Sequence, residues 1–375
     1  MFNPEKLPLG IYLHFPWCVA KCPYCDFNSH QLRGTLNESS YIDALCIDLI
    51  DQAQLVKGRL VSTIFMGGGT PSLFSSQSIG KVLDCIGSHY DLQADCEVTL
   101  EANPGTFEQD KFAGYVSAGV NRLSIGVQSF SDQALKRLGR IHRSNEAKKA
   151  IEKASKLGFK SINVDLMYGL PQQTQAEMMD DLKMACGFEP DHLSWYELTI
   201  EPKTAFYKRP PILPSEASKD LMAEEGWQFL AHAGYQRYEV SAYAQSGHIC
   251  KHNQQIWQFG DYLGCGAGAS GKYTTKDAIM RTEKKSHPKY YASLPKSFAK
   301  EYPVSMKDLP FEVALCCLRL AEGMPWSWVC ERTGEGVETY LRKHAPQGSL
   351  DDSTFKLVGD YFNHYNSVMM NFCPD

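Results

Sequence analysis

Short runs rich in β-branched and apolar residues alternate along the chain with longer stretches whose apolar positions recur at helical spacing. Ile11–Phe15, Val61–Met66, Glu97–Leu100, Arg122–Val127, Ser161–Met167 and His192–Leu198 read as strands. Between them, Tyr41–Val56, Ser78–Tyr90, Glu108–Ala118, Asn145–Leu157 and Ala176–Cys186 read as helices. Six βα units in succession predict an α/β fold with a parallel sheet covered by helices, either open or curved into a barrel. Farther along, Phe311–Glu322 reads as an amphipathic helix stopped by Gly323.

At 375 residues the chain exceeds a typical single domain. The pattern divides it into residues 1–245 with the βα units, a segment 246–300, and a smaller, mainly helical region 301–375. From Lys272 to Lys300, eight Lys/Arg stand against two Asp/Glu, interrupted by Pro288 and Pro295. That stretch reads as a basic surface connector, of a kind that can touch anionic lipid at the membrane periphery. Residues 301–375 reverse the balance, with six Lys/Arg against eleven Asp/Glu, and the whole chain carries a net charge of −5. Such a surface opposes phosphate binding, so nucleic acid is not an expected partner. Thirteen scattered cysteines, an amino-terminal MFNPEKLPLG unlike a signal peptide, and no apolar stretch near the ~18 residues of a membrane span predict a cytoplasmic protein.

The chemistry concentrates in His14-Phe15-Pro16-Trp17-Cys18-Val19-Ala20-Lys21-Cys22-Pro23-Tyr24-Cys25. Three cysteines at a CxxxCxxC spacing are not the buried face of a helix, because Pro23 would break it. With His30 they make four donors for structural zinc, although zinc loops usually bring their donors in two pairs. A cubane iron–sulfur cluster normally takes four thiolates, so three on one loop would leave an iron open to a small molecule. Other unusual residues follow the predicted strands: Gly67 to Pro71 after the second, Glu101 to Gly105 after the third, Gln128 after the fourth. Asp165 lies in the fifth. Parallel barrels gather their sites at the carboxyl ends of strands, so these positions should converge on one rim. Taken singly, each has an ordinary reading as a turn glycine, a solvated acid or a strand-end hydrogen bonder.

The cysteine loop, with Tyr24 between its last two thiols and GGGTP after the second strand, resembles the radical S-adenosylmethionine enzymes. The strings HFPWCVAKCPYCDFNSH, EANPG, SIGVQSF, LGRIHRS, DLMYGLPQQT and YEVSAYA are similar to the oxygen-independent coproporphyrinogen oxidase group, and most of all to its heme-chaperone branch. This resemblance implies a partial (β/α)6 barrel with a winged-helix-like carboxyl-terminal domain. It implies that Cys18, Cys22 and Cys25 ligate a [4Fe-4S] cluster whose fourth iron chelates S-adenosylmethionine. Tyr12, Tyr24, Gly68, Gly69, Thr70, Glu101, Gln128, Arg140 and Asp165 would then contact that cofactor: the glycines by close backbone approach, the acids and amide at its amine or ribose, Arg140 at its carboxylate.

Two features set the chain apart from the oxidase. Phe27 stands where that enzyme has a further cysteine, and only seventeen residues precede Cys18, too few for its amino-terminal arm. Both agree with the heme-chaperone branch, which binds heme and delivers it to acceptor proteins such as respiratory enzymes. His252-Asn253-Gln254-Gln255-Ile256-Trp257 is similar to that branch's HNxxYW heme motif, with Ile256 replacing the tyrosine. On this likeness His252 is an axial heme ligand and Trp257 a cover for the porphyrin, while Cys250 and Cys265 nearby read as buried free thiols. Gly266 to Tyr273 nearly fits a phosphate loop, but Tyr273 stands where a small hydroxyl should hold magnesium. The leading expectation is a heme chaperone, with a homodimer left open. The alternatives are a radical enzyme acting on a porphyrinogen, a methyltransferase on the same scaffold, and a zinc protein.

Overall fold

A computed structural model describes residues 2–105, 109–293, 298–334 and 336–373. Its strands are β1 Leu9–Phe15, β2 Trp17–Cys18, β3 His30–Gln31, β4 Leu60–Gly68, β5 Asp91–Ala102, β6 Arg122–Gln128, β7 Ser161–Tyr168 and β8 His192–Glu197. Then follow β9 Gln236–Glu239, β10 Ala242–Ala244, β11 Asp261–Cys265, β12 Ser270–Thr274, β13 Ile279–Lys284, β14 Phe298–Pro303, β15 Met324–Pro325 and β16 Thr354–Phe355. One twelve-stranded sheet runs β14-β13-β12-β11-β1-β4-β5-β6-β7-β8-β10-β9. The six strands expected from the sequence lie consecutively and in parallel within it, and β11 joins β1 in the same sense.

Helices start where side chains satisfy the free amide groups of the first turn. Asn37 accepts from Ser40 N ahead of helix Glu38–Ala53, and Ser75 from Ser78 N ahead of Ser76–His89. Thr174 and Glu177 form a reciprocal capping box at Gln175–Cys186. Phe112–Ser117 and Ser144–Ala154 complete the expected set; the start of the former, as expected at Glu108, lies outside the described residues. Helix Glu216–His232, unassigned from the sequence, packs beneath β7 and β9. Along the parallel strands, side chains alternate between two faces. On β6, Leu123, Ile125 and Val127 enter the main apolar core, whereas Ser124, Gly126 and Gln128 point the other way.

The segment read as a basic connector is instead structural. It supplies β12 and β13 and leads into β14, all antiparallel, on the edge beside β11. Two of its cations are buried partners rather than solvated charges. Lys272 lies 2.7 Å from Asp261 and Lys284 2.6 Å from Asp48, every one of these side chains almost wholly buried. Arg59 meets Asp261 at 2.8 Å, and Thr274 donates to the same carboxylate through N and Oγ1 at 2.9 Å each. Charge counting cannot tell a solvated lysine from one neutralised by an acid more than two hundred residues away.

Residues beyond 303 build a second core around Val313, Cys317, Val329, Leu341, Phe355 and Phe372, from helices Leu309–Cys317, Trp326–Thr333, Val337–His344 and Tyr365–Met369 and the β15/β16 pair. The helix expected to reach Glu322 stops at Cys317, because Leu320 leaves to bridge Glu239 of β9. Arg319 ties this unit to the barrel: it lies 3.0 Å from Glu239 and its guanidinium stacks 4.5 Å over Trp257. No helix among the described residues is long and apolar enough to cross a membrane. Replacing a buried acid here strands its cations without counter-charge, so Asp261→Ala is expected to lower the unfolding free energy by ~3–5 kcal/mol. A urea titration with the parental midpoint would refute that assignment.

Candidate functional site

The cysteine loop leaves β1 and returns to it. β2 pairs in parallel with β3, Trp17 opposite His30 and Cys18 opposite Gln31, which closes the loop at its base. Lys21 Nζ donates across it to the carbonyls of Phe27 and Ser29 at 3.0 and 3.1 Å. His14 Nε2 donates to Asn28 O at 2.9 Å, which leaves Nδ1 to accept from Tyr12 Oη at 3.0 Å. Asn28 in turn donates to Ala267 O and Ser286 O at 2.9 and 2.8 Å, stapling the loop to the antiparallel extension. From the other side, Gly69 N and Thr70 N donate to Phe15 O and Trp17 O at 2.7 and 2.8 Å.

These contacts explain the glycines of GGGTP more directly than cofactor approach does. A Cβ on Gly68, at φ +106°, would stand 2.3 Å from the His14 ring, and one on Gly69 would stand 2.6 Å from two backbone oxygens of the loop. Gly139 does the same work from the far side, its missing Cβ leaving room for Pro23. Arg140, next in sequence, places its guanidinium 2.9 Å from Asn103 Oδ1, 2.8 Å from Gly126 O and 3.5 Å from Cys22 Sγ, while its buried Nε has no partner.

One cavity of about 320 Å³ lies over the carboxyl ends of the strands. Cys18, Cys22, Cys25, Tyr24, Gly68, Gly69, Thr70, Glu101, Gln128, Arg140 and Asp165 all line it, as strand-end reasoning requires. Because β4 to β8 all contribute to that one wall, the sheet curves around the cavity as a partial barrel. Burial and the neighbouring Asp165 push the Glu101 carboxyl up to about 7. Burial also raises Asp165, against hydrogen bonds from Asn163, Ser194 and Ser124. Arg122 lowers both acids as a lesser influence and neither forms an ion pair among the described residues, so the pair suits a ligand that brings a positive charge, as an ammonium or sulfonium does. Gln128 holds a left-handed backbone at φ 69° and accepts from Tyr196 Oη at 2.9 Å, so its amide nitrogen is left for a ligand.

The donor set fits an iron–sulfur cluster. All three loop cysteines are free thiols on the cavity wall, and burial raises the Cys18 and Cys25 thiols, which must lose protons to ligate. The zinc set does not assemble: among the described residues no three Cys, His, Asp or Glu groups converge on one ion, and His30 packs instead against His287 at 5.4 Å. Separate corners of a larger cluster need no such convergence.

Three expected residues lie elsewhere. Tyr12 does not line the cavity; its ring stacks on Phe65 at 6.3 Å and its hydroxyl orients His14. His252 sits in helix Lys251–Trp257, which packs on β4, β1 and β11 and places its first turn on Glu97. Its Nδ1 is 2.8 Å from Thr63 Oγ1, its ring stacks on Phe65 at 5.1 Å, and it is 2% exposed. Burial, then Arg122, lowers the imidazole to about 3, so it is neutral with an unpartnered Nε2. Trp257 is half-buried between the barrel and Arg319. His252 lines neither the strand-end cavity nor the other principal cavities among the described residues. Conversely, Asn103, Ser124, Ser194 and Tyr196 line the site without having been expected; their strand-face alternation with Glu101, Gln128 and Asp165 was the available signal.

The radical SAM superfamily model matches residues 12–185. The chain is 50% identical over 352 residues to the heme chaperone HemW of Escherichia coli (strain K12), covering 92% of each. It is 50% identical over 327 residues to HemW of Haemophilus influenzae, covering 86% of this chain and 85% of that one. It is 37% identical over 281 residues to the mitochondrial radical S-adenosyl methionine domain-containing protein 1 of Bos taurus, covering 73% of this chain and 63% of that one. Among solved structures, coproporphyrinogen III oxidase (HemN) from Escherichia coli superposes with a TM-score of 0.82 over 99% of this chain and 91% of that one, a likeness of fold at 24% identity.

The Glu101 shift gives a signed expectation. Between the ordinary carboxylate pKa and about 7 the folded chain holds a proton that the unfolded chain has lost, so stability should fall as pH rises through that window. Glu101→Gln should flatten this part of the melting-temperature profile of cluster-free protein; an unchanged slope from pH 5 to pH 7.5 would refute the shift.

Proposed function

Because the chain belongs to the HemW family of the radical SAM superfamily, we propose that it is a heme chaperone that binds heme and passes it to acceptor proteins, respiratory enzymes among them. In this reading it carries a [4Fe-4S] cluster and S-adenosylmethionine without oxidising coproporphyrinogen. The observation that carries the reading is the joint one: near-complete coverage of the family, together with a strand-end cavity whose about 320 Å³ is at the small end of ligand sites. Phe27, 60% exposed at the loop margin, stands where the resembling oxidase has its extra thiol.

The residues divide the work. Cys18, Cys22 and Cys25 would hold the cluster, which would supply one-electron chemistry to a bound S-adenosylmethionine. Glu101 and Asp165 offer negative charge to the cofactor's cations, with Ser124, Asn163 and Ser194 fixing the Asp165 carboxylate. Arg140, braced by Asn103 and Gly126 on the cavity wall, would receive the cofactor's carboxylate. Tyr24 packs against Phe206 at a ring separation of 6.3 Å and closes the side nearest the loop.

Anaerobic reconstitution followed by parallel hemin titration and coproporphyrinogen turnover tests the proposal. A shifted Soret band with turnover no faster than a cofactor-free blank is expected; rapid porphyrinogen consumption, or no heme binding, would overturn it. Cys18→Ser is expected to lose most of its labile sulfide and the cluster's visible absorption, with the chain still folded by circular dichroism.

A further inference from the structure

One wall of the cofactor cavity is the turn between β9 and β10, and an arginine of the carboxyl-terminal unit is set against it. Ser241 lines the cavity, and its N and Oγ donate to Glu239 Oε1 at 3.0 and 2.8 Å. Glu239 Oε2 accepts from Arg319 Nη2 at 3.0 Å, and the same nitrogen donates to Ser241 Oγ at 3.4 Å. The backbone around Arg319 is fastened to this turn on both sides: Val240 N donates to Arg319 O and Ala321 N to Tyr238 O, each at 3.0 Å. Arg319 therefore cannot drift from the turn without breaking main-chain pairing between the two units.

The same guanidinium lies 4.5 Å over the Trp257 ring, at the end of helix Lys251–Trp257. On its barrel side that helix is held by Glu97, which accepts from Lys251 N and His252 N at 3.1 Å, and by Gln255, whose amide bonds Ser62 Oγ and Asp261 O at 2.7 Å each. Its carboxyl end is held by the other unit, through Arg319 over Trp257 and Arg332 donating to Gln258 O. Cations suit that end of a helix. The hold is nonetheless incomplete, because His252 Nε2, Trp257 Nε1 and Arg319 Nε are all buried without a hydrogen-bond partner. Unmatched groups of this kind penalise the closed arrangement relative to one that satisfies them. His252 is only 2% exposed, so the helix must loosen before that imidazole can reach an iron.

Resting on the heme-chaperone reading above, we infer that Arg319 is a positioning residue that couples the cofactor cavity to helix Lys251–Trp257. What binds beside Ser241 alters the hold on Trp257, and with it the release of the helix that carries His252. Ser241 Oγ has one proton to donate. Once that proton is given to an acceptor in the cavity it is withdrawn from Glu239, and the carboxylate then draws more strongly on the guanidinium that also covers Trp257. A planar guanidinium is required, since a lysine would keep the charge beside Glu239 but not the stacked cover on the indole. The coupling is reciprocal: a ligand that moves the helix changes the affinity of the cavity by the same factor.

Hydrogen exchange of the amides of residues 251–258 in the reconstituted full chain, with and without S-adenosylmethionine, tests the coupling, and hemin titration of the same samples gives a second readout. Saturation is checked by the change S-adenosylmethionine makes in the electron paramagnetic resonance of the cluster. In the parent, S-adenosylmethionine should alter the exchange rate of the helix and shift the hemin Kd by about fivefold or more. Arg319→Gln should speed exchange in the helix at parental circular dichroism and lose the response to S-adenosylmethionine in both readouts, and Arg319→Lys should not restore it. Ser241→Ala, which leaves Arg319 and Trp257 in place, should also lose the response and decides the matter if the Arg319 variants fold poorly. A response of parental size in both Arg319→Gln and Ser241→Ala, or no response in a parent that binds both ligands, would overturn the coupling while leaving the chaperone reading standing. A parent that binds no hemin would remove the chaperone reading, and the exchange measurement would still decide whether the cavity and the helix are coupled.

Discussion

The structure depends on holding a short loop, rich in thiols and poor in regular structure, in one conformation at the mouth of a barrel. The eight residues from Cys18 to Cys25 contain no helix and no strand beyond Cys18 itself, so most of their order must come from outside. It comes from backbone hydrogen bonds at both margins. Gly69 and Thr70 bind Phe15 and Trp17, His30 N binds Pro16 O at 2.6 Å, and Leu32 N binds Cys18 O at 2.8 Å. Each satisfies a backbone polar group, and the approach of Gly69 to Phe15 and Trp17 leaves no room for a Cβ. That is the physical reason for the glycine run after β4.

The interior of the barrel is polar rather than oily. His192, Asn163, Ser124, Ser194 and Asp165 form one hydrogen-bonded chain, with His192 Nδ1 and Asn163 Oδ1 only 2.6 Å apart. Below it Glu97 receives the first turn of the His252 helix, so the amino end is plugged and the carboxyl end is left open. Buried networks of this kind are costly unless completed, and the unpartnered Nε of Arg140 belongs to a residue that lines the cofactor cavity.

The antiparallel extension links this machinery to the remainder of the chain. Its buried lysines pair with acids on the first helix and on β11, and its turn receives Asn28 from the cluster loop. Asn28 is thereby the hydrogen-bonded link between the cysteine loop and the ends of the extension at Ala267 and Ser286. The helix that follows β13, Pro288–Ser293, packs back on the first helix, with Tyr291 Oη donating to Asp48 at 2.7 Å.

The cysteine spacing, the six alternating strands and the residues at their carboxyl ends were legible without coordinates, because period and chain order alone fix which end of a parallel strand a residue occupies. Eleven of the expected cluster and cofactor residues meet in one cavity for that reason, and Tyr12 falls outside it because it lies deeper on its strand, two residues before His14. What needed the folded chain was every relation between distant segments: Lys272 and Lys284 neutralised in the interior, His252 turned inward under Phe65, and His30 brought against His287. Local pattern encodes the direction of a side chain from its own backbone, but burial and partnership depend on which other strand or helix arrives opposite, and that is decided only when the whole sheet has closed.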